Sequence, residues 1–144
     1  MTVAKILQSK GSSDVVFIAP DKAVSDAAAL LAEKRIGSLV VSDDGKAVLG
    51  ILSERDIVRV LAKRGGAILS EPVDSFMTVK LVTCGRDASA DAVLQMMTDG
   101  RFRHMPVLED GQLVGLITLG DVVKARLTEL AMEKDALQGM IMGH

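Results

Sequence analysis

Two stretches of the chain decide its fold: Gly-Ile-Leu-Ser-Glu-Arg-Asp at residues 50–56 and Gly-Leu-Ile-Thr-Leu-Gly-Asp at residues 115–121. Each predicts a short apolar strand that runs directly into a helix, with a hydroxyl residue at the junction and an Asp soon after it. Two further blocks recur at nearly the same offset, so the chain contains a tandem duplication. These blocks are Ala23–Ala27 with Ala88–Ala92, and Val41–Gly45 with Val107–Gly111.

Each copy predicts the same order of elements: strand, helix, two strands and helix. The first strands are predicted at Val15–Ile18 and Lys80–Thr83, and the later strands of each copy flank Asp43–Lys46 and Glu109–Gln112. An Asp-Gly pair between β-branched runs is typical of a hairpin. The predicted fold class is α+β, with two tandem β-α-β-β-α repeats, because one copy of about 55 residues buries too little surface to be stable alone.

The predicted boundaries follow from this duplication. Gly65 and Gly66 end the last helix of the first copy, and Pro72 lies in the segment that joins the copies. The resulting divisions are an N-terminal segment 1–14, a first repeat 15–64, a linker 65–78, a second repeat 79–128, and a C-terminal helix and tail 129–144.

Composition argues against several classes of function. The chain has 144 residues, 49% apolar but only 2% aromatic, and a net charge of −2. Proteins that bind single-stranded nucleic acids stack bases on aromatic side chains, and most nucleic-acid-binding domains carry a basic surface. We therefore expect no nucleic-acid partner. We also expect no membrane span, since no uncharged stretch approaches the ~20 residues that one requires.

The few residues suited to redox or metal chemistry are scattered. Cys84 is the single cysteine, so no internal disulfide can form, which fits a reducing compartment. The N-terminus lacks the apolar region of a secretory signal, and we expect a cytoplasmic protein. His104 and His144 show no metal-ligand spacing with each other or with Cys84, so no metal is expected. Cys84 is expected to be a half-buried strand residue rather than a reactive thiol.

The junction motifs Ser53-x-x-Asp56 and Thr118-x-x-Asp121 allow two interpretations. In the first, the hydroxyl and the carboxylate form a capping box at the start of a helix. In the second, a short carboxylate at a helix start accepts both hydroxyl groups of a ribose, while neighbouring N–H groups face a phosphate. One arrangement can serve both roles.

The duplicated motif resembles the CBS (cystathionine-β-synthase) domain, and the pair resembles a Bateman module. The resemblance covers roughly residues 15–128 and includes Val73–Thr78, before the second repeat, and Arg101–Val107, before its hairpin. It implies a stand-alone, pseudo-twofold pair that binds an adenosine-containing ligand in clefts between the repeats. The ligands that it implies are AMP, ADP, ATP, S-adenosylmethionine and NAD(H).

The same resemblance implies the residues of each site. Asp56 and Asp121 would hold the ribose hydroxyls, and Ser53 and Thr118 would face the ribose or a phosphate. The adenine would lie between the first strand of a repeat and the segment entering its hairpin. The residues concerned are Ile18, Ser38 and Leu39 in the first repeat, and Thr83, Met105 and Pro106 in the second.

We expect the two sites to differ. The second copy has Arg101, Arg103 and His104 where the first has Ile36–Ser38, and the first motif also contains Glu54. Arg offers charge-assisted donors to phosphate, whereas Glu54 repels it, an effect that Arg55 partly offsets. The second site is therefore predicted to bind phosphate more strongly, although a solvated surface role for the arginines is equally open.

The leading hypothesis is a non-catalytic regulatory module that binds an adenine nucleotide and signals to an unknown partner protein. The resemblance also implies a homodimer formed through helices, for which Ile57–Leu61 and Val122–Leu127 supply apolar faces. The alternative is a dimeric interaction scaffold without a ligand. An enzyme is disfavoured, since we find no nucleophile–base pair, no metal-binding carboxylate cluster and no Gly-rich phosphate loop.

Overall fold

The structure is a computed structural model that describes residues 1–11 and 15–142. The end of the predicted N-terminal segment (12–14) and the end of the predicted tail (143–144, with His144) lie outside the described residues. The elements are α1 Val3–Ser9, β1 Phe17–Ile18, α2 Val24–Lys34, β2 Ser38–Val41, β3 Gly50–Ser53, α3 Glu54–Arg64, two 3₁₀ helices Gly66–Ser70 and Val73–Ser75, α4 Ala90–Gly100, β4 His104–Glu109, β5 Gln112–Thr118 and α5 Leu119–Ile141.

The chain divides into two compact units, and the first contains residues 15–82 and 109–114. Its sheet has the order β1-β2-β3, with β1 parallel and β3 antiparallel to β2. The core lies between these strands and helices α2 and α3. Side chains two residues apart on a strand, such as Leu39 and Val41, lie on the same face and pack against the helices. The buried core residues are Ile18, Val24, Ala27, Leu31, Leu39, Val41, Leu52, Ile57, Ile68 and Val73.

The predicted linker is part of this first core. Ile68 and Val73 lie in its two 3₁₀ helices and are fully buried. Val73 N donates to Lys22 O over 2.8 Å, and Val24 N donates to Glu71 O over 2.9 Å. The segment is therefore held against the start of α2 by both burial and backbone hydrogen bonds.

The second unit contains residues 1–11, 83–108 and 115–142. Here α5 packs against α4 and α1, and β4 pairs with β5 in a two-stranded sheet. The N-terminal helix α1 contributes Val3 and Ile6 to the buried residues of this unit, which also include Val93 and Met97. The described part of the predicted N-terminal segment, residues 1–11, therefore belongs to the unit that holds most of the second repeat.

One predicted element is wrong. Lys80–Thr83 forms no strand; in its place Cys84 makes a single parallel bridge to Val107. Cys84 N donates to Pro106 O over 3.1 Å, and Cys84 O accepts from Leu108 N over 2.9 Å. The turn at Arg86–Asp87 ends this pairing directly after Cys84, and Thr78, just before the predicted strand, pairs with Ile51 instead.

The hairpin prediction and the α+β class are confirmed. The loop between β2 and β3 turns at Gly45, whose φ of +77° favours glycine. A side chain there would also meet the Phe17 ring, 2.7 Å from the Cβ position. Within the described ranges, no helix combines the length and the apolar character that crossing a membrane requires.

Candidate functional site

The first motif forms a complete capping box at the start of α3. Ser53 is the N-cap, and its Oγ accepts from Asp56 N over 3.1 Å. In return, Asp56 Oδ2 accepts from Ser53 N over 3.0 Å and from Ser53 Oγ over 2.9 Å. The capping interpretation is therefore confirmed for this repeat.

A cation also touches the first carboxylate. Arg59 lies one turn further along α3, and its guanidinium nitrogen Nη2 is 3.0 Å from Asp56 Oδ1. Asp56 is a buried charged residue, so these bonds provide the pairing that a buried carboxylate needs. Both of its oxygens are engaged, and a ribose would share or replace the Arg59 contact.

The second motif repeats this geometry at the start of α5. Thr118 is the N-cap, and its Oγ1 accepts from Asp121 N over 3.2 Å. Asp121 Oδ2 accepts from Thr118 N over 2.9 Å. The capping box is thus confirmed in both repeats, and each places a short carboxylate at the N-terminus of a helix.

The cation at the second carboxylate comes from outside the repeat. Lys10 Nζ lies 2.8 Å from Asp121 Oδ2 and donates a second hydrogen bond, over 3.0 Å, to Leu116 O. Burial alone would raise the pKa of Asp121, but the hydrogen bonds from Lys10 and Thr118 and the Lys10 charge lower it below its usual value. The carboxylate is therefore ionised at neutral pH.

The position of Lys10 is set by the docking of α1. Val3 N donates to Ala88 O over 2.8 Å, and Ala4 N donates to Arg86 O over 2.9 Å. Leu7 lies against Gly115, where an added Cβ would come within 2.7 Å of Leu7 Cδ2. The glycine of the second motif therefore makes room for α1, which carries Lys10 at its C-cap.

Sequence reasoning missed Lys10. By the repeat offset, the counterpart of Arg59 is Lys124, which lies exposed on α5. Lys10 lies far from Asp121 in the sequence, and no local pattern links the two residues. The docking of α1, by buried side chains and backbone hydrogen bonds, brings the ammonium group to the motif.

The predicted adenine-lining residues of the first repeat lie close to its motif. Ser38 is directly opposite Ser53 in the β2–β3 ladder, and Glu54 N donates to Gly37 O over 2.9 Å. The side chains of Ser38 and Leu39 are buried, as is Ile18 on β1. Because these side chains are buried, this part of the first repeat offers the adenine of the predicted ligand mainly backbone N–H and C=O groups.

The second repeat has the same arrangement. Leu119 N donates to Arg103 O over 2.8 Å, which ties the start of α5 to the segment entering β4. Met105 and Pro106 are buried, and Pro106 O is used by Cys84 N. Thr83 is exposed beside that bridge.

The predicted alignment of the basic residues needs a correction. The C-cap of α4 is Arg101, with φ 55°, and the C-cap of α2 is Arg35, with φ 53°. The counterpart of Arg101 is therefore Arg35 and not Ile36, because α2 and α4 have equal lengths and end in the same left-handed residue. Arg103 then corresponds to Gly37. By the same register His104 corresponds to Ser38.

The asymmetry between the repeats thus rests on fewer residues than predicted. Arg101 and Arg103 are exposed, and His104 is half-buried. Arg103 and His104 still distinguish the second repeat, and Lys10 adds a cation that the sequence comparison did not include.

An open apolar groove of about 520 Å³ lies on the first unit, and its lining includes Gly37 and Glu54 beside the first motif. It is formed by α2, the turn after it and the first turns of α3, and it includes part of the predicted dimer face. Its lining residues are Ala28, Leu31, Ala32, Arg35, Ile36, Gly37, Glu54, Ile57 and Val58.

Comparison with known proteins decides the family. The protein-family model of the CBS domain matches the chain twice, over residues 4–63 and 73–128. The chain belongs to the CBS-domain family. Each match contains one capping-box motif, so the predicted resemblance to a tandem CBS pair is confirmed, and pairs of CBS domains are regulatory modules.

Relatives and solved structures agree with this assignment. The CBS-domain containing protein ATU1752 from Agrobacterium tumefaciens is 44% identical, with a TM-score of 0.83 over 88% of this chain and 99% of that one. The mitochondrial CBS domain-containing protein CBSX3 of Arabidopsis thaliana is 34% identical, over 99% of this chain and 72% of its own length.

A more distant neighbour has known ligands. The CBS domain pair of MJ0100 was crystallised with 5′-methylthioadenosine and S-adenosyl-L-methionine. It has a TM-score of 0.77 over 90% of this chain and 98% of that one, at 23% identity, a level that shows the fold alone. Among the described residues of the present chain, no three His, Cys, Asp or Glu side chains form a metal-binding group.

Cys84 gives a first testable prediction. Burial, with a smaller effect from the charge of Asp87, raises the pKa of its thiol to about 11. Since the thiolate is the nucleophile, we expect alkylation at pH 8 to be about 200-fold slower than for an ordinary cysteine, whose pKa is about 8.5. The rate should keep rising with pH up to about 11. Iodoacetamide labelling followed by mass spectrometry measures it, and rapid labelling at neutral pH in the folded protein would contradict the prediction.

Proposed function

We propose that this CBS pair is a non-catalytic regulatory module that binds an adenine nucleotide and passes a conformational signal to a partner protein. The observation that carries the proposal is the cluster of Thr118, Asp121 and Lys10. It combines an ionised carboxylate, the N-terminus of helix α5 and an adjacent ammonium. A ribose and a phosphate require these three kinds of group side by side.

The second repeat is the stronger phosphate site in this proposal. It has Arg103 and His104 where the first repeat has Gly37 and Ser38. A cation lies at the carboxylate of both repeats, Lys10 in the second and Arg59 in the first. The first repeat instead has the exposed Glu54 at the start of α3, next to its motif. Cations favour an anionic ligand and Glu54 opposes it, so the two repeats differ in electrostatic character.

The ligand class is an adenosine compound, with AMP, ADP, ATP and NAD(H) as the candidates. All share the two ribose hydroxyl groups, which would donate hydrogen bonds to the carboxylates of Asp121 and Asp56. The adenosine ligands of MJ0100 support the same class by analogy of fold. No aromatic side chain lies among the proposed site residues, so adenine would be held by Ile18, Met105 and Pro106 and by backbone hydrogen bonds.

Small molecules carried through purification test this proposal without assuming a ligand. The protein is purified under native conditions, denatured, and the released compounds are analysed by mass spectrometry. We expect an adenine nucleotide in substoichiometric to stoichiometric amount. A preparation free of adenine compounds, and unchanged in melting temperature by added AMP, ATP or NADH, would instead favour the interaction scaffold.

We also propose a homodimer formed through helices. Val58 on α3 is 64% exposed and Leu127 on α5 is 62% exposed, and each belongs to an apolar helix face. Exposed apolar faces of this kind are typical of subunit interfaces. The groove beside Val58 offers a complementary concave surface on the first unit.

Charge substitution tests the dimer. Val58→Asp and Leu127→Asp are each expected to convert a dimer into a monomer at micromolar concentration, because a carboxylate buried in an apolar interface lacks a partner. Val79→Asp is the matched control, since Val79 is 68% exposed but lies on neither helix. Size-exclusion chromatography with light scattering measures the mass. A wild-type monomer, or dimers in both variants, would contradict the proposed interface.

The proposed compartment is the cytoplasm. A single half-buried cysteine fits a reducing environment. The relative CBSX3 is a mitochondrial protein, so the mitochondrion is the alternative compartment. Cell fractionation with a tagged chain distinguishes the two.

A further inference from the structure

Lys10 links the N-terminal helix to the carboxylate of the second motif. Its Nζ donates to Asp121 Oδ2 over 2.8 Å and to Leu116 O over 3.0 Å. An ammonium group has three N–H donors, so these two bonds leave one for a further acceptor. The bonds of Asp121 described above all use Oδ2, which leaves Oδ1 for a ribose hydroxyl.

Stability alone does not account for this ion pair. The Lys10 and Asp121 side chains are 33% and 22% exposed, and pairs with this exposure contribute little to folding. The docking of α1 already rests on the buried side chains of Val3 and Ile6 and on backbone hydrogen bonds. The ammonium group is therefore placed at the motif by a helix that does not depend on it.

The two repeats differ in the origin of the cation that pairs with the carboxylate. In the first repeat the carboxylate, Asp56, is paired with Arg59 from the same helix, and the pair is made within one turn. In the second repeat the cation reaches Asp121 from a separate helix. It can therefore keep its bond to Leu116 O and turn its remaining donor toward a ligand beside the carboxylate.

We propose that Lys10 is a specificity-determining residue that makes the second site selective for nucleosides with an anionic 5′ group. The inference rests on the proposed function and names the ligand class of one site. The geometry points to a nucleoside 5′-phosphate, which supplies a diol for Asp121 and an anion for Lys10.

The physical basis is the balance of charge at the site. A phosphate beside the ribose accepts a charge-assisted bond from the free Lys10 donor. A neutral 5′ group leaves that donor without a ligand acceptor, and a cationic 5′ group is repelled by the ammonium. Selection therefore operates on the 5′ substituent and not on the adenosine that these ligands share.

Two charge-removing variants on the same helix test the proposal. Lys10→Met removes the ammonium group at Asp121, and Lys5→Met removes one from the exposed face of α1. Isothermal titration calorimetry measures the Kd of each protein for AMP and for 5′-methylthioadenosine, a neutral analogue with the same adenosine. Asp121→Asn identifies the second site, because its binding event is the one that this variant loses.

We expect Lys10→Met to weaken AMP binding at that site by about 10-fold, as for one charge-assisted hydrogen bond, and to leave methylthioadenosine binding unchanged or tighter. Lys5→Met should alter neither Kd by more than about twofold. An equal loss for both ligands, or an unchanged AMP affinity, would overturn the role of Lys10 while leaving nucleotide binding intact. Absence of binding by the wild-type protein would overturn the proposed function itself.

Discussion

Asp121→Asn is expected to weaken AMP binding at the second site by about 100-fold. The substitution removes the negative charge that would accept the two ribose hydroxyl groups, and hydrogen bonds to a charged group contribute about 1.5–3 kcal/mol each. It also removes the partner of Lys10, whose ammonium lies 2.8 Å from Asp121 Oδ2. Isothermal titration calorimetry with AMP measures the loss.

The choice of Asn separates binding from helix capping. The side-chain oxygen of Asn can still accept from Thr118 N at the N-terminus of α5, so the capping box keeps its geometry. Asp135→Asn is the matched control, because it removes the same charge from an exposed position on the same helix. A protein with unchanged AMP affinity and lower stability would show that Asp121 serves only as a cap.

Leu39→Ala is expected to lower the free energy of unfolding by about 2–5 kcal/mol, the range for a Leu-to-Ala change in a packed core. Leu39 is 0% exposed on the central strand β2, directly opposite Leu52. Truncation leaves a cavity between this sheet and its helices. The neighbouring side chains are closely packed and cannot move far enough to fill it. Chemical denaturation followed by circular dichroism measures the change.

Leu137→Ala is the matched control for this prediction. Leu137 lies on α5 and is 59% exposed, so its truncation should change stability by less than about 0.5 kcal/mol in the monomer. If Leu39→Ala were equally mild while it weakened AMP binding, Leu39 would be a ligand contact and not a core residue. The predicted role of its side chain in holding adenine depends on that outcome.

Local sequence patterns predicted the parts of the fold that depend on neighbouring residues. The hydroxyl and carboxylate spacing predicted both capping boxes, because N-cap and N3 groups interact within one helical turn. Asp44-Gly45 predicted the first hairpin, because only a few residue types suit its backbone conformation. The duplication supplied the order of the elements.

Parts that depend on distant contacts were predicted poorly. The strand at Lys80–Thr83 was expected from its apolar residues, but the structure has only single bridges on either side of it, at Thr78 and at Cys84. Lys10 was not predicted at all, since its place beside Asp121 follows from the docking of α1. The residue of the first repeat that corresponds to Arg101 was misassigned as Ile36. The alignment of the two repeats shifts by one residue, and this shift is seen where α2 and α4 end, at Arg35 and Arg101.

We propose the second motif as an adenine-nucleotide site. A calorimetric titration of AMP into the wild-type protein, stripped of bound compounds by reversible unfolding, tests it most directly. We expect saturable binding that Asp121→Asn removes from one site and Asp135→Asn leaves intact. A refolded protein that binds neither AMP, ATP nor NADH, or that binds AMP equally well without the Asp121 charge, would contradict it.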